Sequence, residues 1–179
     1  MGILTMQTSH ITYLTGDATA PDTHGPKVIA HVCNDRGGWG AGFVRAVSKR
    51  WPQPEKEYRR WEQTGRMGSI EFELGAIQIV AVDVKLWVAN MVAQAGFGGD
   101  GKPPIRYREL SKCLQKLSAS IRSVEHPCYR ASIHMPRIGC GLAGGMWKEV
   151  EPLILEATMG SMALIALPVF VYDFPATQQ

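Results

Sequence analysis

Lys27-Val28-Ile29-Ala30-His31-Val32-Cys33, then Asn34-Asp35-Arg36-Gly37-Gly38-Trp39-Gly40-Ala41-Gly42, then Phe43-Val44, is the stretch that decides the fold. The first seven residues are a nearly continuous apolar run, which reads as a buried strand. Glycines follow at 37, 38, 40 and 42. Phe43, Val44, Val47 and Trp51 then share one face at helical spacing. The order is therefore strand, glycine-rich turn, helix. Glycine lets backbone N–H groups approach a ligand closely, and a helix N-terminus adds partial positive charge. Phosphate is the natural guest of such a turn. The same residues also read as a tight strand-to-helix connection without a ligand, because glycine patterns recur widely.

Working outward, the arrangement occurs a second time. Ser132 to Met135 reads as a strand, and Pro136-Arg137-Ile138-Gly139-Cys140-Gly141-Leu142-Ala143-Gly144-Gly145-Met146 leads into a helix from Trp147 to Ala157. Two such loops at one sheet edge can clamp a diphosphate from both sides, a more specific signal than either alone. Neither is a nucleotide-binding P-loop, since no Gly-Lys-Ser/Thr follows. Neither is the dinucleotide fingerprint, since the acidic residue on the next strand is missing.

The remaining segments alternate in the same way. His10 to Leu14, Gly75 to Val82, Leu86 to Val92 and Val169 to Tyr172 read as strands. Gln53 to Gln63 reads as a helix, with Pro52 and Pro54 at its start. Ile105 to Val124 reads as an amphipathic helix through Leu110, Leu114, Leu117 and Ile121. Residues 19–26 and 95–104 read as loops. Alternation of this kind predicts one α/β domain over 1–179, a three-layer α/β/α sandwich with a mixed central sheet. Ligands of such sheets bind at the carboxyl ends of the strands, where both glycine-rich loops fall.

The totals agree. The chain of 179 residues is 45% hydrophobic and carries a formal charge of +3. That suits an anionic ligand, while no basic run reads as a nucleic-acid arm. Cys33, Cys113, Cys128 and Cys140 form no Cys-x-x-Cys pair and read as reduced thiols, so a cytoplasmic setting is expected. Leu153 to Val171 is apolar, but Glu156 and Pro168 interrupt it, so no membrane span is expected. No His/Cys spacing suggests a metal, and no cofactor is called for.

Several segments together resemble the macrodomain family. Tyr13-Leu14-Thr15-Gly16-Asp17 looks like its opening strand, His31 to Gly42 its first loop, Met135 to Trp147 its second loop, and Val171-Tyr172-Asp173 its closing strand. The resemblance runs through nearly the whole chain, in order. It lies towards the terminal ADP-ribose protein glycohydrolase branch and its bacterial subgroup, through HVCNDRGGWGAGF, WVANMV and HMPRIGCGLAGGMW. It implies binding of ADP-ribose or an ADP-ribosylated protein, by a monomer. By the same resemblance, Asp17 accepts from the adenine amino group and Ala18 assists through its backbone. Gly40, Ala41 and Gly42 border the distal ribose and diphosphate. The amides of Gly139, Cys140, Gly141 and Leu142 donate to phosphate, and Arg137 is a further ADP-ribose contact. Tyr172 lines the adenine pocket, and Asn34 and Asp35 lie near the distal ribose. Trp39 either walls off that ribose or covers the helix start. Read by themselves, Asp17 is a turn residue, Tyr172 a core aromatic, His31 a structural residue of an apolar strand, and Cys140 a packing thiol whose place near a helix N-terminus favours the thiolate.

The glycohydrolase branch implies a catalytic lysine after the strand matching Trp87 to Val92 and an aspartate in the second loop. Here those positions hold Ala93 or Gln94, and Ala143. The covalent lysine route is closed to these side chains. An ADP-ribosyl ester of glutamate or aspartate releases a carboxylate whose acid has a pKa of about 4, and needs little help from a general acid. The expectation is therefore hydrolysis of such esters, with Asp35, Asn34 and Gln94 as water or ribose positioners and Asp35 as the first base candidate. The alternatives are a non-catalytic reader, a phosphatase of ADP-ribose 1″-phosphate, an enzyme acting on ADP-ribosylated nucleic acid, and an interaction domain with an empty cleft.

Overall fold

The computed structural model describes residues 10–98, 101–123, 131–159 and 166–174. Val124 and Cys128 lie outside the described residues. The elements are β1 (Ile11–Thr15), β2 (Lys27–Asn34), α1 (Phe43–Arg50), α2 (Gln53–Thr64), β3 (Arg66–Met67), β4 (Ile70–Glu71), β5 (Ile77–Asp83), β6 (Leu86–Gln94), α3 (Tyr107–Ser123), β7 (Ser132–Pro136), α4 (Trp147–Met159) and β8 (Val169–Asp173). Six strands form one sheet in the order β1-β8-β7-β2-β6-β5. Every neighbouring pair is parallel except β5 and β6, so the sheet is mixed.

Alternation along the strands sorts the core into two layers. On one face, Val28, Ala30, Ala89, Met91, Ile133, Met135, Val169 and Val171 pack against Leu110, Leu114, Leu117 and Ile121 of α3 and Val150 and Ile154 of α4. On the other, Ile29, Cys33, Val88 and Val92 pack against Val44 and Val47 of α1 and Tyr58 and Trp61 of α2. The three-layer α/β/α arrangement expected from the sequence is the one formed. Leu117 is fully buried, and its truncation to alanine carries a cost of about 2–5 kcal/mol.

Two local expectations need correction. Residues 105 and 106 do not open α3. Ile105 bridges Gln94 in antiparallel fashion, and the Ala95 amide donates to Pro104 O at 2.9 Å. The chain is thus held at the sheet edge until Tyr107. The antiparallel β3–β4 hairpin was not anticipated, because two-residue strands carry no alternation to read.

Parallel pairing has one consequence for function. β1, β8, β7, β2 and β6 all end at the same edge, and both glycine-rich loops leave the sheet there.

Candidate functional site

A cleft of about 960 Å³ opens at that edge, at the large end of the range usual for small-molecule sites. One wall is the first loop, with Asn34, Gly38, Gly40, Ala41 and Gly42; the other is the second, with Arg137, Ile138, Gly139, Gly141, Leu142 and Ala143. Gln94 and Phe97 close one end, Phe174 also lines the cleft, and His31 and Cys33 contribute at the base. The loops face each other closely: Leu142 Cδ1 lies 3.4 Å from where a Cβ on Gly42 would stand.

The backbone of both loops is set by left-handed glycines. Gly42 (φ 79°) ends the first loop, and Gly139 (φ 72°) turns the second, conformations that other residues adopt only with strain. Two further glycines are different in kind. Gly40 and Gly141 lie outside the left-handed region, and a Cβ on either would meet nothing within 4 Å. The fold itself does not require glycine at these two positions, and both border the open cleft.

Donors are available on both walls. Gly42 caps α1 without any side-chain hydrogen bond; the Arg45 amide donates to Gly42 O, and those of Phe43 and Val44 keep their donor capacity. In the second loop the Gly144 and Gly145 amides bond to Gly141 O and Gly139 O. The amides of Gly141, Leu142 and Ala143 find no acceptor among the described residues. Among the described residues lining the cleft, the one fixed positive charge is Arg137. It forms a two-point ion pair with Asp173 (2.6 and 2.8 Å) and lies over the Tyr13 and Trp147 rings, 5.2 and 5.0 Å from their centroids. The hydrogen bonds from Arg137 hold the Asp173 carboxyl below its ordinary value. No carboxylate and no lysine stands among the described residues lining the cleft.

The base of the cleft is rigid. The Asn90 Nδ2 group donates to Pro54 O and Gln78 Oε1, leaving Oδ1 to accept from His31 Nε2 at 2.7 Å. That fixes His31 as the Nε2–H tautomer. Burial lowers the His31 pKa to about 4, against the opposing hydrogen bond that the ring donates to Asn90. The ring is neutral at pH 7, in line with a structural role.

The structure thus brings Asn34, Gly40, Ala41, Gly42, Gln94, Arg137, Gly139, Gly141 and Leu142 to one cleft. The other candidates stand elsewhere. Trp39 does not wall the cleft. It is 5% exposed, its Nε1 donates to Ser48 Oγ at 2.7 Å, and its ring meets His31 edge-on at 5.2 Å. Burying a large ring under α1 outweighs leaving it on a solvated loop. The Asp35 carboxylate is not on the wall either: Oδ1 accepts from the Gly96 amide at 2.7 Å. The Asn34 side chain is occupied within its own loop, accepting from the Arg36 and Gly38 amides and donating to Gly38 O. Gln94 Nε2 donates to Gly96 O at 2.8 Å.

Asp17 follows β1 at the same sheet edge, and Ala18 beside it is buried. Burial pushes the Asp17 carboxyl up, but hydrogen bonds from Thr19 and Arg50 outweigh it and hold the pKa below its ordinary value. The Tyr172 hydroxyl pairs with His134 Nδ1 at 2.9 Å. Cys140 is half-buried, and burial raises its pKa despite Arg137 nearby. The thiolate that a helix N-terminus was expected to favour is not favoured here. Phe97 and Phe174, which sequence reasoning did not single out, are 67% and 70% exposed. Neither sits in a periodic pattern that could have marked it.

No family model matches the chain. A curated relative named ADP-ribose 1″-phosphate phosphatase, from Meyerozyma guilliermondii, is 36% identical over 163 residues, covering 82% of this chain and 93% of that protein. The chain spans only 19% and 15% of the length of two other curated relatives, the chromodomain-helicase-DNA-binding protein 1-like proteins of Mus musculus (28% identical) and Danio rerio (32% identical). Among solved structures, a Bacteroides thetaiotaomicron protein of unknown function is 48% identical, with a TM-score of 0.80 over 91% of this chain and 97% of that one. A Streptomyces coelicolor macrodomain protein is 47% identical, with a TM-score of 0.74 over 91% of this chain and 98% of that one. With sequence identity at that level over nearly the full length of a solved macrodomain, and the two facing glycine loops in place, this chain belongs to the macrodomain family.

Proposed function

We propose that the cleft binds ADP-ribose through its diphosphate and hydrolyses ADP-ribosyl esters of glutamate or aspartate on proteins. The observation that carries the binding is the pair Gly40 and Gly141, glycines whose missing side chains leave open space in the cleft. Both face the cleft, where an approaching ligand would use that space. Oxygen atoms of a diphosphate fit unpaired amides on two facing loops, beside a helix N-terminus and Arg137. The relative from Meyerozyma is named for an ADP-ribose compound, which favours this diphosphate over others.

What stands on the wall supports this choice of reaction. The leaving-group oxygen takes the electron pair as the C1″–O bond breaks, with positive charge developing on the ribose. A carboxylate leaves without protonation, since its acid has a pKa of about 4. A serine or arginine linkage releases a far stronger base, and the described wall holds no carboxyl group or lysine to protonate it. The water oxygen bonds to C1″ and its proton passes to solvent. Gln94, whose side-chain oxygen has no partner among the described residues, is the group we assign to place that water. Asn34 and Asp35 shape the adjacent loop. We also place the chain near the terminal ADP-ribose protein glycohydrolase branch, with Ala93 or Gln94 and Ala143 where that branch carries its lysine and aspartate.

The test is to incubate the protein with one substrate ADP-ribosylated on glutamate and another on serine. Loss of label from glutamate alone is expected. Retention of both labels, with ADP-ribose bound, makes the protein a reader instead. The name of the Meyerozyma relative favours a second reading, cleavage of ADP-ribose 1″-phosphate, where inorganic phosphate is again a weakly basic leaving group. Phosphate release from that compound, in the same assay, tests it.

A further inference from the structure

The first glycine-rich loop is backed by one stripe of α2. Glu55, Tyr58, Arg59 and Glu62 stand at the spacing that shares a helix face, and all four reach the loop or the helix that follows it. The buried Tyr58 hydroxyl donates to Asn34 O at 2.5 Å. Arg59 Nη1 donates to Gly37 O at 3.1 Å. Glu62 packs where Gly37 lacks a side chain, its Cδ 2.9 Å from the place of a Cβ. Glu55 acts through two intermediaries. Its Oε1 accepts from Arg59 Nε at 2.9 Å, and its Oε2 accepts from Ser48 Oγ of α1 at 2.8 Å. Ser48 Oγ in turn accepts from Trp39 Nε1 at 2.7 Å. One carboxylate is thus the junction of two paths, to the Gly37 carbonyl and to the Trp39 indole.

The direction of each bond makes the carboxylate matter. A serine hydroxyl has one proton to donate. Given to Glu55, it leaves only lone pairs towards Trp39, which is what an indole N–H needs. A guanidinium is a rigid planar fork, so holding Nε at Glu55 aims Nη1 at Gly37. The anchored stretch ends at Trp39, directly before Gly40 and Ala41. Those two residues line the cleft, and their amides find no acceptor among the described residues. Glycines at 38, 40 and 42 give the segment little stiffness of its own. We propose, building on the ADP-ribose reading above, that Glu55 is a positioning residue for that ligand. Through Ser48 and Arg59 it fixes the first loop, so that the Gly40 and Ala41 amides are in place before the anion arrives. A loop ordered in advance binds more tightly, because its ordering does not subtract from the binding free energy.

Titration calorimetry with ADP-ribose reads affinity and stoichiometry separately. Glu55→Gln removes the charge and leaves one acceptor for two donors. It is expected to weaken ADP-ribose about tenfold, with one-to-one stoichiometry retained. Ser48→Ala breaks the Trp39 path alone and weakens binding about threefold, while Ser48→Thr restores a hydroxyl and recovers wild-type affinity. Combining Glu55→Gln with Ser48→Ala weakens binding no further than Glu55→Gln does, since the second change lies on a path already broken. The Trp39 indole N–H resonance, read by nitrogen-15 NMR, moves in Glu55→Gln although Ser48 stands between the two residues. A residue that only supports the fold would lower the stoichiometry, through a smaller folded fraction, and leave the affinity of the folded remainder unchanged. That result, or full affinity in both single variants, overturns the role of Glu55 and leaves the ADP-ribose reading intact. A wild-type protein that binds no ADP-ribose overturns both.

Discussion

Replacing Gly141 by valine separates a glycine needed by the ligand from glycines needed by the fold. A Cβ at Gly141 meets nothing within 4 Å, and its φ is not left-handed. The substitution therefore changes stability by no more than about 1 kcal/mol, of either sign. For a chain of this size that is a Tm shift of roughly 2–4 °C. Binding responds differently. The valine methyl groups occupy the space through which a phosphate oxygen reaches the amides of Gly141 and Leu142. Hydrogen bonds to a charged group contribute about 1.5–3 kcal/mol each, so losing two weakens ADP-ribose by at least about 100-fold. Gly145→Ala is the contrast, since its Cβ would stand 2.6 Å from Gly139 O. Backbone must move to admit it, at about 1–3 kcal/mol, and Tm falls in proportion. Thermal unfolding and calorimetry on both variants read the two effects apart. Gly141→Val binding like wild type, or losing as much Tm as Gly145→Ala, would refute the assignment of Gly141 to the ligand.

Three other substitutions or conditions give equally direct outcomes. Asp35→Asn keeps an oxygen for the Gly96 amide, so glutamate-ester hydrolysis is expected within about threefold of wild type; a rate below a hundredth would move the Asp35 carboxylate into the chemistry. Burial lowers the pKa of both His31 and His134 to about 4 from 6.5. The unfolded chain therefore binds more protons between those values, and stability present above 6.5 is lost as pH falls through the window. Each histidine accounts for about 2 kcal/mol between pH 7 and pH 5, and a Tm that stays flat over that range would contradict their burial as neutral rings. Tyr58→Phe removes the hydroxyl that donates to Asn34 O at 2.5 Å. It should reduce the denaturant-derived stability by about 1–2 kcal/mol, whereas no change in the urea midpoint would show that water replaces the bond.

The sandwich and the position of the cleft were legible because they rest on local signals. Val28 to Cys33 and Ile133 to Met135 are apolar runs that stop at glycine-rich turns, and parallel strands then bring those turns to one edge. Trp39 was left open between the ribose and the helix start because its partners, Ser48 and the His31 ring, come from the helix after the loop and from the strand before it. Nothing in a glycine-rich loop says which way an aromatic will turn. Asp35 suggested chemistry by type alone, yet its carboxylate accepts from the Gly96 amide, a partner set by how β2 lies against β6. Phe97 was missed for the same reason: its place in the cleft exists only once Gly38 is beside it.

His31, Asn90 and Gln78 are direct partners across β2, β6 and β5, and all three are buried. Their side chains form one transverse chain, ending on carbonyls of α2 through Asn90 to Pro54 and Gln78 to Glu57. A row of this kind works as an alignment key. Sliding β6 by one residue would turn Asn90 to the opposite face, among leucines of α3, and take from His31 Nε2 and Gln78 Oε1 the Asn90 partner they share. Apolar side chains alone would tolerate such a slip far better, since one valine replaces another at little loss. The polar row therefore penalises the misaligned sheet more than it stabilises the aligned one, and in doing so it fixes how far the ends of β2 and β6 reach into the cleft.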